Sequence, residues 1–483
     1  DVRDNLLSSF LESRYDNGKS VRLIRPALVG GRRMGVHPVT GTVFPAAAIG
    51  AIAEGTGDAN NGLLVGADGV AIMKDRGIQL GPRVGFSYDP FGAGKTAVRG
   101  GFGLFFNRDP AGFLVNTLTQ QPIVNSPIVY YSTFAALRQA NALSFPQELT
   151  AIDPVGKIPS SMNMSLSVQQ NIGFSTVLDI GYVGTLGRNL QWRRNLNTIA
   201  FGANFLAQNA DPAANNVPLP SSFLRPLLGY NDIFMSEPAS SSNYHSLQVS
   251  ANRRFSRGLQ YGLAYTWSKA MDYSSAEGDN VSNLVGRRVW NYGPSSFDRA
   301  HTLRVNWLYD VPNLPAPHAL LRAVLHHWQT SGIYSFSSGQ PLAIGFSNTV
   351  ATDITGSPTD GARVFLTGNP NLPQSERTFS RNLRTEVVQA PARGTIGNSE
   401  RFPIRGPRNQ NWDLTVFKNF PIREALRVQF RWELYNAWNQ TQLSAFDTAA
   451  RFDPQGRQVN ARFGEFTAAR PPRIMQFALR FLF

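Results

Sequence analysis

Few residues in this chain have the types and spacing that chemistry requires. Gly94-Lys95-Thr96 ends like a phosphate-binding loop, whose backbone N–H groups wrap phosphate when a further Gly stands five positions before the Gly-Lys pair. That position is Asp89 and no helical periodicity follows, so the segment reads as a hairpin turn. His326 and His327 are adjacent, and on an extended chain neighbouring side chains point to opposite faces, so the two cannot share a metal. His37, His245, His301 and His318 each stand alone, without a partner at ligand spacing. Cysteine is absent, which removes thiolate nucleophiles, thiolate metal sites and disulfides. Paired carboxylates for glycoside chemistry are defined by distance in the fold, which sequence leaves open. No catalytic, cofactor-binding or metal-binding residues are expected, and no enzymatic activity.

One constellation remains. Arg99, Arg304, Arg427, Arg431 and Arg480 sit on the polar side of segments that alternate apolar and polar residues. Around two of them, Leu426, Val428, Phe430, Trp432 and Leu434 share one face while Arg427, Gln429, Arg431 and Glu433 share the other, within a strand expected over 425–438. The structural reading pairs the arginines with Glu433 and Asp413 in a ladder across strands. The functional reading has them contact a solute, and the structural one is preferred.

The alternation recurs along the chain. Leu259, Tyr261, Leu263, Tyr265 and Trp267 interleave with Gln260, Gly262, Ala264, Thr266 and Ser268. Leu303, Val305, Trp307 and Tyr309 flank Arg304 and Asn306, and Met164, Leu166 and Val168 flank Ser165 and Ser167. Apolar faces ending in Tyr or Trp fit a membrane interface, where amphipathic rings settle at headgroup depth. An apolar face ending in Trp432 and Trp438 predicts that Phe430 meets hydrocarbon.

Composition agrees with an all-β body. The 483 residues include 43 Gly, 31 Pro and 32 Phe, with only 16% charged, a blend rich in turn formers and aromatics. No run of about 18 apolar residues suits a membrane helix, so a membrane reading requires strands. The net charge of +14 raises nucleic acid as a partner, but the basic residues are scattered and form no recognisable module. Anionic lipid headgroups or a positive lumen are preferred, and no nucleic-acid partner is expected. No signal peptide follows Asp1, so the expectation is a fragment whose upstream part is missing.

Connections alternate in length. Short links with hairpin composition join Tyr88 to Ala97, Asn171 to Thr176, Arg254 to Leu259 and Lys418 to Ala425. Long polar stretches lie near Asp109 to Lys157, Asn189 to Ser242, Asp272 to Asp298, Gln340 to Arg408 and Asn439 to Arg470. Short turns on one side and long loops on the other are the asymmetry of an outer-membrane barrel, with turns periplasmic and loops extracellular. About eleven strands are expected after Leu80, an odd number that cannot close alone where such barrels use an even count. Residues 1–79 read as an extracellular loop region and 80–483 as barrel strands.

Several of these segments resemble the TonB-dependent, Oar-like barrels. They are the hairpin from Leu80 to Asn107, Asn243-Tyr-His-Ser-Leu-Gln-Val-Ser, Tyr265-Thr-Trp-Ser-Lys-Ala, Phe297-Asp-Arg-Ala-His-Thr-Leu and Phe430-Arg-Trp-Glu-Leu-Tyr-Asn-Ala-Trp-Asn. The resemblance spans nearly the whole chain and keeps its order. It implies an antiparallel transmembrane β-barrel in the bacterial outer membrane, of which this chain supplies the C-terminal half of about twenty-two strands. It also implies uptake of a solute, expected to be polar or anionic given the lumen-facing arginines and net charge. The energising partner would be the TonB complex, acting through an N-terminal plug region that this sequence does not show. At the C-terminus Met475, Phe477, Leu479, Phe481 and Phe483 alternate with Gln476, Ala478, Arg480 and Leu482. Phe477, Phe481 and Phe483 thus resemble the terminal signal read by the barrel-assembly machinery. The alternative function is a structural or adhesive surface protein that uses the barrel as an anchor.

Overall fold

The computed structural model describes all residues except 1–6, 66–72, 75, 108–114, 127, 129–132, 134–141, 216, 284, 351, 360 and 424–425. Alternating apolar and polar residues, broken by tight Gly- and Asp-containing turns, have one way to pair all their backbone groups, which is a meander of antiparallel strands. The largest sheet is such a meander, with an unbroken path of eleven strands in sequence order. They are β1 (Arg83–Tyr88), β2 (Thr96–Phe106), β3 (Ser160–Gly173), β4 (Thr176–Asn195), β5 (Tyr230–Ser256), β6 (Leu259–Asp272), β7 (His301–Asp310), β8 (Trp328–Ser337), β9 (Asn409–Pro421), β10 (Arg427–Tyr435) and β11 (Ile474–Leu482). Among the described residues, β1 pairs only with β2 and β11 only with β10, so both outer edges of the path are open.

Turn chemistry fixes the register. Phe174 and Ser175 alone join β3 to β4, both at positive φ (49° and 58°), and Arg257 and Gly258 join β5 to β6 at 52° and 74°. Paired left-handed residues give the turn twist that matches twisted strands. The β1–β2 turn is organised by Asp89, whose carboxylate accepts from the backbone N–H of Phe91 (3.1 Å), Gly92 (3.1 Å) and Gly94 (2.6 Å). Those bonds to the ionised form hold its carboxyl below the usual carboxylate range. The residue that breaks the phosphate-loop pattern therefore builds the hairpin.

The β7–β8 connection, residues 311–327, is longer than the other turn-side links and carries a short helix, Ala319–Leu325. His326 caps that helix rather than lying on a strand, and its Nε2 meets the Leu314 carbonyl at 2.8 Å. The Lys418 ammonium donates to the carbonyls of Val324 and His326 at the end of the helix.

Register carries one apolar face across all eleven strands. Val84 opposes Phe102, Phe102 opposes Met164, Leu166 opposes Tyr182, Tyr182 opposes Leu247 and Leu247 opposes Trp267. The same face continues nearer the turns, where Leu263 opposes Val305, Val305 opposes Tyr334 and Tyr334 opposes Trp412, and then Val416 opposes Trp432 and Trp432 opposes Phe477. This face is not a core: Leu166 is 52% exposed, Phe477 61% and Leu479 58%. Gly332 shelters beneath Trp307, where an added Cβ would meet the ring at 2.4 Å, so the sheet uses glycine where a neighbouring ring needs the surface.

The buried cores lie at the loop end. Phe10, Leu63, Leu149, Ala151, Tyr230, Ile233 and Met235 pack together, with Phe10 and Tyr230 edge to face at 5.5 Å. Residues 8–65 thus carry short strands (Ser8–Phe10 with Leu63–Val65, and Arg25–Val29, Arg32–Val36 and Val43–Phe44) folded against the extension of β5. A second core, including Ile344, Val364, Leu383, Ile404, Phe446 and Phe452, knits the long connections 338–408 and 436–473 into one body.

The stretch expected as a loop from Asn189 to Ser242 is partly strand. Pairing shifts register around Asn189, which stands at φ 55°, then continues from Gln191–Asn195 against Phe234–Pro238. Asn189 marks a bulge where the two strands climb beyond the rest of the sheet, and bulges re-aim strands without ending them.

Candidate functional site

The face opposite the apolar one is the candidate site. Because side chains alternate, each strand that commits odd or even positions to the apolar side commits the others to this side. It collects Ser165 and Ser167, Gln248 and Ser250, Thr266 and Ser268, Thr302 and Asn306, Ser331 and Ser335, and Thr415 and Asn419.

All five candidate arginines lie on this polar side. Arg99 sits between Ser87 and Ser167. Arg304 sits between Ala264 and Ser335 and donates to the Ser335 hydroxyl. Arg427, Arg431 and Arg480 form a group, since Arg480 opposes Gln429, which lies between the other two. Arg99 and Arg304 are strands away and belong to other stretches of the same face.

The expected ion-pair ladder forms only in part. Arg431 meets Glu433 at 3.9 Å and lays its guanidinium 4.7 Å from the centre of the Phe417 ring. Glu433 also accepts from the Tyr435 hydroxyl at 3.2 Å. Asp413 is engaged elsewhere, accepting from the Asn411 side-chain amide Nδ2 at 2.8 Å and from the Asn436 backbone N–H at 3.0 Å. Among the described residues no carboxylate pairs with Arg99, Arg304, Arg427 or Arg480. These four arginines thus stand without paired carboxylates on a face that also carries Asp179, Asp310, Asp413 and Glu433, and fixed positive charge of this kind raises the local concentration of anions around it.

Phe477 and Phe481 stand on the apolar face, Phe477 stacked at 6.1 Å on Trp432 and at 6.2 Å on Phe430. Phe483 lies beyond the end of β11 and is 99% exposed.

The loop end contributes residues that sequence reasoning passed over. Asp298 accepts from Ala270 N at 2.8 Å and pairs with Arg405 at 2.7 Å. Asp272 pairs with Arg401 at 2.6 Å. Two nearly buried carboxylates thereby fasten the 338–408 connection to the top of β6. Glu237 takes both Arg194 Nε (2.8 Å) and Nη2 (3.1 Å), and Asp232 pairs with Arg225 at 2.6 Å. Asn436 and Asn439, at φ 51° and 49°, end β10 before Trp438, so Trp438 leaves the strand face. Asp453 accepts from the N–H of Arg457 and Gln455, which holds its carboxyl below the ordinary range. Aspartates at irregular breaks in the alternation were the available signal. Among the described residues, no group of three or more His, Asp or Glu is arranged to hold a metal ion.

Residues 15–476 match the family model described as an outer membrane beta barrel domain. No curated protein matches the chain. Solved structures similar to it include the outer membrane transporter YddB from Escherichia coli, at 9% identity and TM-score 0.41, covering 82% of this chain and 39% of that one. The siderophore receptor PirA from Acinetobacter baumannii matches at 10% identity and TM-score 0.40, covering 83% and 41%. The FrpB iron transporter from Neisseria meningitidis (F5-1 variant) matches at 11% and 0.37, covering 83% and 39%. The chain spans less than half the length of each of these proteins.

Proposed function

We propose that this chain, which belongs to the outer membrane beta barrel domain family, turns its apolar face to lipid as part of a TonB-dependent importer whose polar face lines the passage for a polar or anionic solute. The observation that carries this reading is the polar face itself. It is lined by hydroxyls, amides, the aspartates Asp179 and Asp310, and the cationic group Arg427, Arg431 and Arg480, for which the one acid paired among the described residues is Glu433 at 3.9 Å from Arg431. A barrel serving only as an anchor needs no excess of fixed charge of one sign on its inner face.

The reading has the open edges of β1 and β11 joined by further strands into a barrel of about twenty-two, the size that holds a plug. The TonB complex acts through that plug, the assembly machinery through β11 and its aromatic end, and the long connections face the cell exterior. Uptake is measured in cells carrying the full-length protein, with and without dissipation of the proton gradient. Energy-dependent accumulation of an anionic solute that falls with Arg427→Glu and Arg431→Glu supports the reading. A preference for cationic solutes, or accumulation indifferent to the gradient, refutes it.

The folded loop-end body, with its own core around Val364 and Phe452, favours a second reading in which the barrel displays an adhesive surface. Cells lacking the protein would then lose surface attachment and keep uptake.

A further inference from the structure

The turn end of the meander leaves one piece of apolar surface bare. Between β7 and β8, Pro312, Pro315 and Pro317 lead into the helix Ala319–Leu325, in which every residue but Arg322 is apolar. Alanine and leucine form helix readily, and the left-handed His327 (φ 61°) turns the chain back into β8. No residue of the helix is buried. Leu320, Leu321 and Val324 share one side and are 82%, 44% and 60% exposed. Arg322 stands roughly 150° round the helix from the middle of that side, so the segment is amphipathic despite its length.

Two side chains fix the side of the sheet on which the helix lies. Trp328, Lys418, Phe430 and Leu479 oppose one another in turn across β8 to β11, in a row of the apolar face close to the turns. Trp328 Nε1 donates to the Val324 carbonyl at 2.6 Å. The Lys418 ammonium donates to the same carbonyl at 3.1 Å and to that of His326. Both tethers rise from the apolar face, so they hold the C-terminal end of the helix on the apolar side of the sheet and away from the polar face. An ammonium at the carbonyl end also complements the helix dipole.

The chemistry of the link selects what covers it. Seven helical residues span about 10 Å, too little to cross a bilayer, so this apolar side can enter lipid only with the helix lying flat at the surface. Water is scarce at that depth, and the last carbonyls of a helix then need other donors. Trp328 and Lys418 supply them. Residues 311–328 hold Arg322, His318, His326 and His327 and no Asp or Glu, a balance that suits the phosphates of a phospholipid surface.

We propose that the helix Ala319–Leu325 is an in-plane anchor in the periplasmic leaflet of the membrane, with Leu320, Leu321 and Val324 among the acyl chains and Arg322 at the phosphates. Trp328 and Lys418 couple it to the strands, so the anchor sets the height of β7 and β8 against the leaflet. The inference rests on the reading above, in which the apolar face meets lipid and the long connections lie outside.

Oxygen concentrates in lipid and a nickel chelate stays in water, so their collision rates with a nitroxide report its surroundings. This sequence has no cysteine. Full-length protein, with any upstream cysteine changed to serine, carries a nitroxide at Leu321→Cys, or at Val249→Cys on the apolar face of β5, in vesicles of phosphatidylethanolamine and phosphatidylglycerol. Heat-shifted gel mobility shows that each variant is folded. At position 321 oxygen is expected to collide more often than the chelate. Adding Leu320→Asp and Val324→Asp should reverse that preference at 321 and leave it intact at 249. A label at 321 reached mainly by the chelate overturns the inference, because the helix then stands in water. Shielding from both reagents overturns it too, because a protein surface then covers the helix, and so does a preference that survives the two aspartates. Lipid at 249 with water at 321 refutes the anchor alone, whereas water at 249 refutes the assignment of faces on which it rests.

Discussion

Val249 offers the sharpest test of which face meets lipid. It stands on the apolar face of β5, midway between His245 near the loop end and Arg253 near the turn end, with Ile180 and Tyr265 opposite it on the neighbouring strands. An arginine there is four residues, about 13 Å of strand, from either rim, further than its side chain can reach to place the charge in water. At the bilayer midplane such a substitution costs about 2–4 kcal/mol. Taking about 3 kcal/mol, the folding equilibrium of Val249→Arg should fall more than a hundredfold. Gln248, the next residue, points to the polar face, and Gln248→Arg should change stability by no more than about 0.5 kcal/mol. Denaturant titration of the full-length protein in large lipid vesicles, followed by tryptophan emission and by heat-dependent gel mobility, compares the two. Equal costs for both variants would refute the assignment of faces, and a larger cost for Gln248→Arg would reverse it.

Phe430 lies on the same apolar face but directly opposite Lys418, whose ammonium reaches the carbonyls of Val324 and His326. That places it near the turn-side rim, and Phe430→Arg should cost less than about 1 kcal/mol in the same titration. For Asp89, whose folded carboxyl is depressed by three backbone N–H donors, the stabilisation is present above the unfolded carboxylate value of about 3.9 and is lost as pH falls through the folded value. Amide exchange at Phe91, Gly92 and Gly94 should therefore speed up on acidification in the unmodified protein beyond the intrinsic trend, and Asp89→Ala should remove that pH step. Asp232→Ala leaves Arg225, whose side chain is 6% exposed, without its carboxylate. Breaking such a pair costs about 3 kcal/mol, to be read as faster proteolysis between residues 196 and 232, with no change in the heat-shifted mobility of the barrel.

Much of the meander was legible because a strand with one face in lipid must alternate, and alternation is a local signal. Leu259 to Ser268 reads correctly residue by residue, and the path does contain eleven strands. Boundaries were less legible where pairing outlasts alternation. Beyond Asn189 the chain carries Trp192, Arg193 and Arg194, a polar run without period two, yet Arg194 and Glu237 join across the strands and keep them paired. At the loop end such extensions are held by ion pairs and by side chains bonded to backbone, and those contacts leave no repeating pattern. The 311–327 link was missed for a related reason, since its apolar residues Leu320, Leu321 and Val324 belong to a helix too short to show a period.

The candidate site was legible as a face and not as a set of contacts. Parity placed the five arginines together, since a strand has only two sides. Which charges would pair depended on where the acids were already spent, and that is a property of the turns. Asp413 lies within reach of the polar ladder in sequence terms, but the left-handed Asn436 at the end of β10 turns its own N–H toward that carboxylate. Ending the strand there takes the acid away from the arginines and leaves Glu433 as the one counter-charge paired with the group among the described residues, which makes this stretch of the polar face more cationic than the ladder expectation allowed. Local backbone geometry at a strand end thus sets the electrostatics of a surface several residues away, which is why the sign of the face could be read from composition while its strength required the fold.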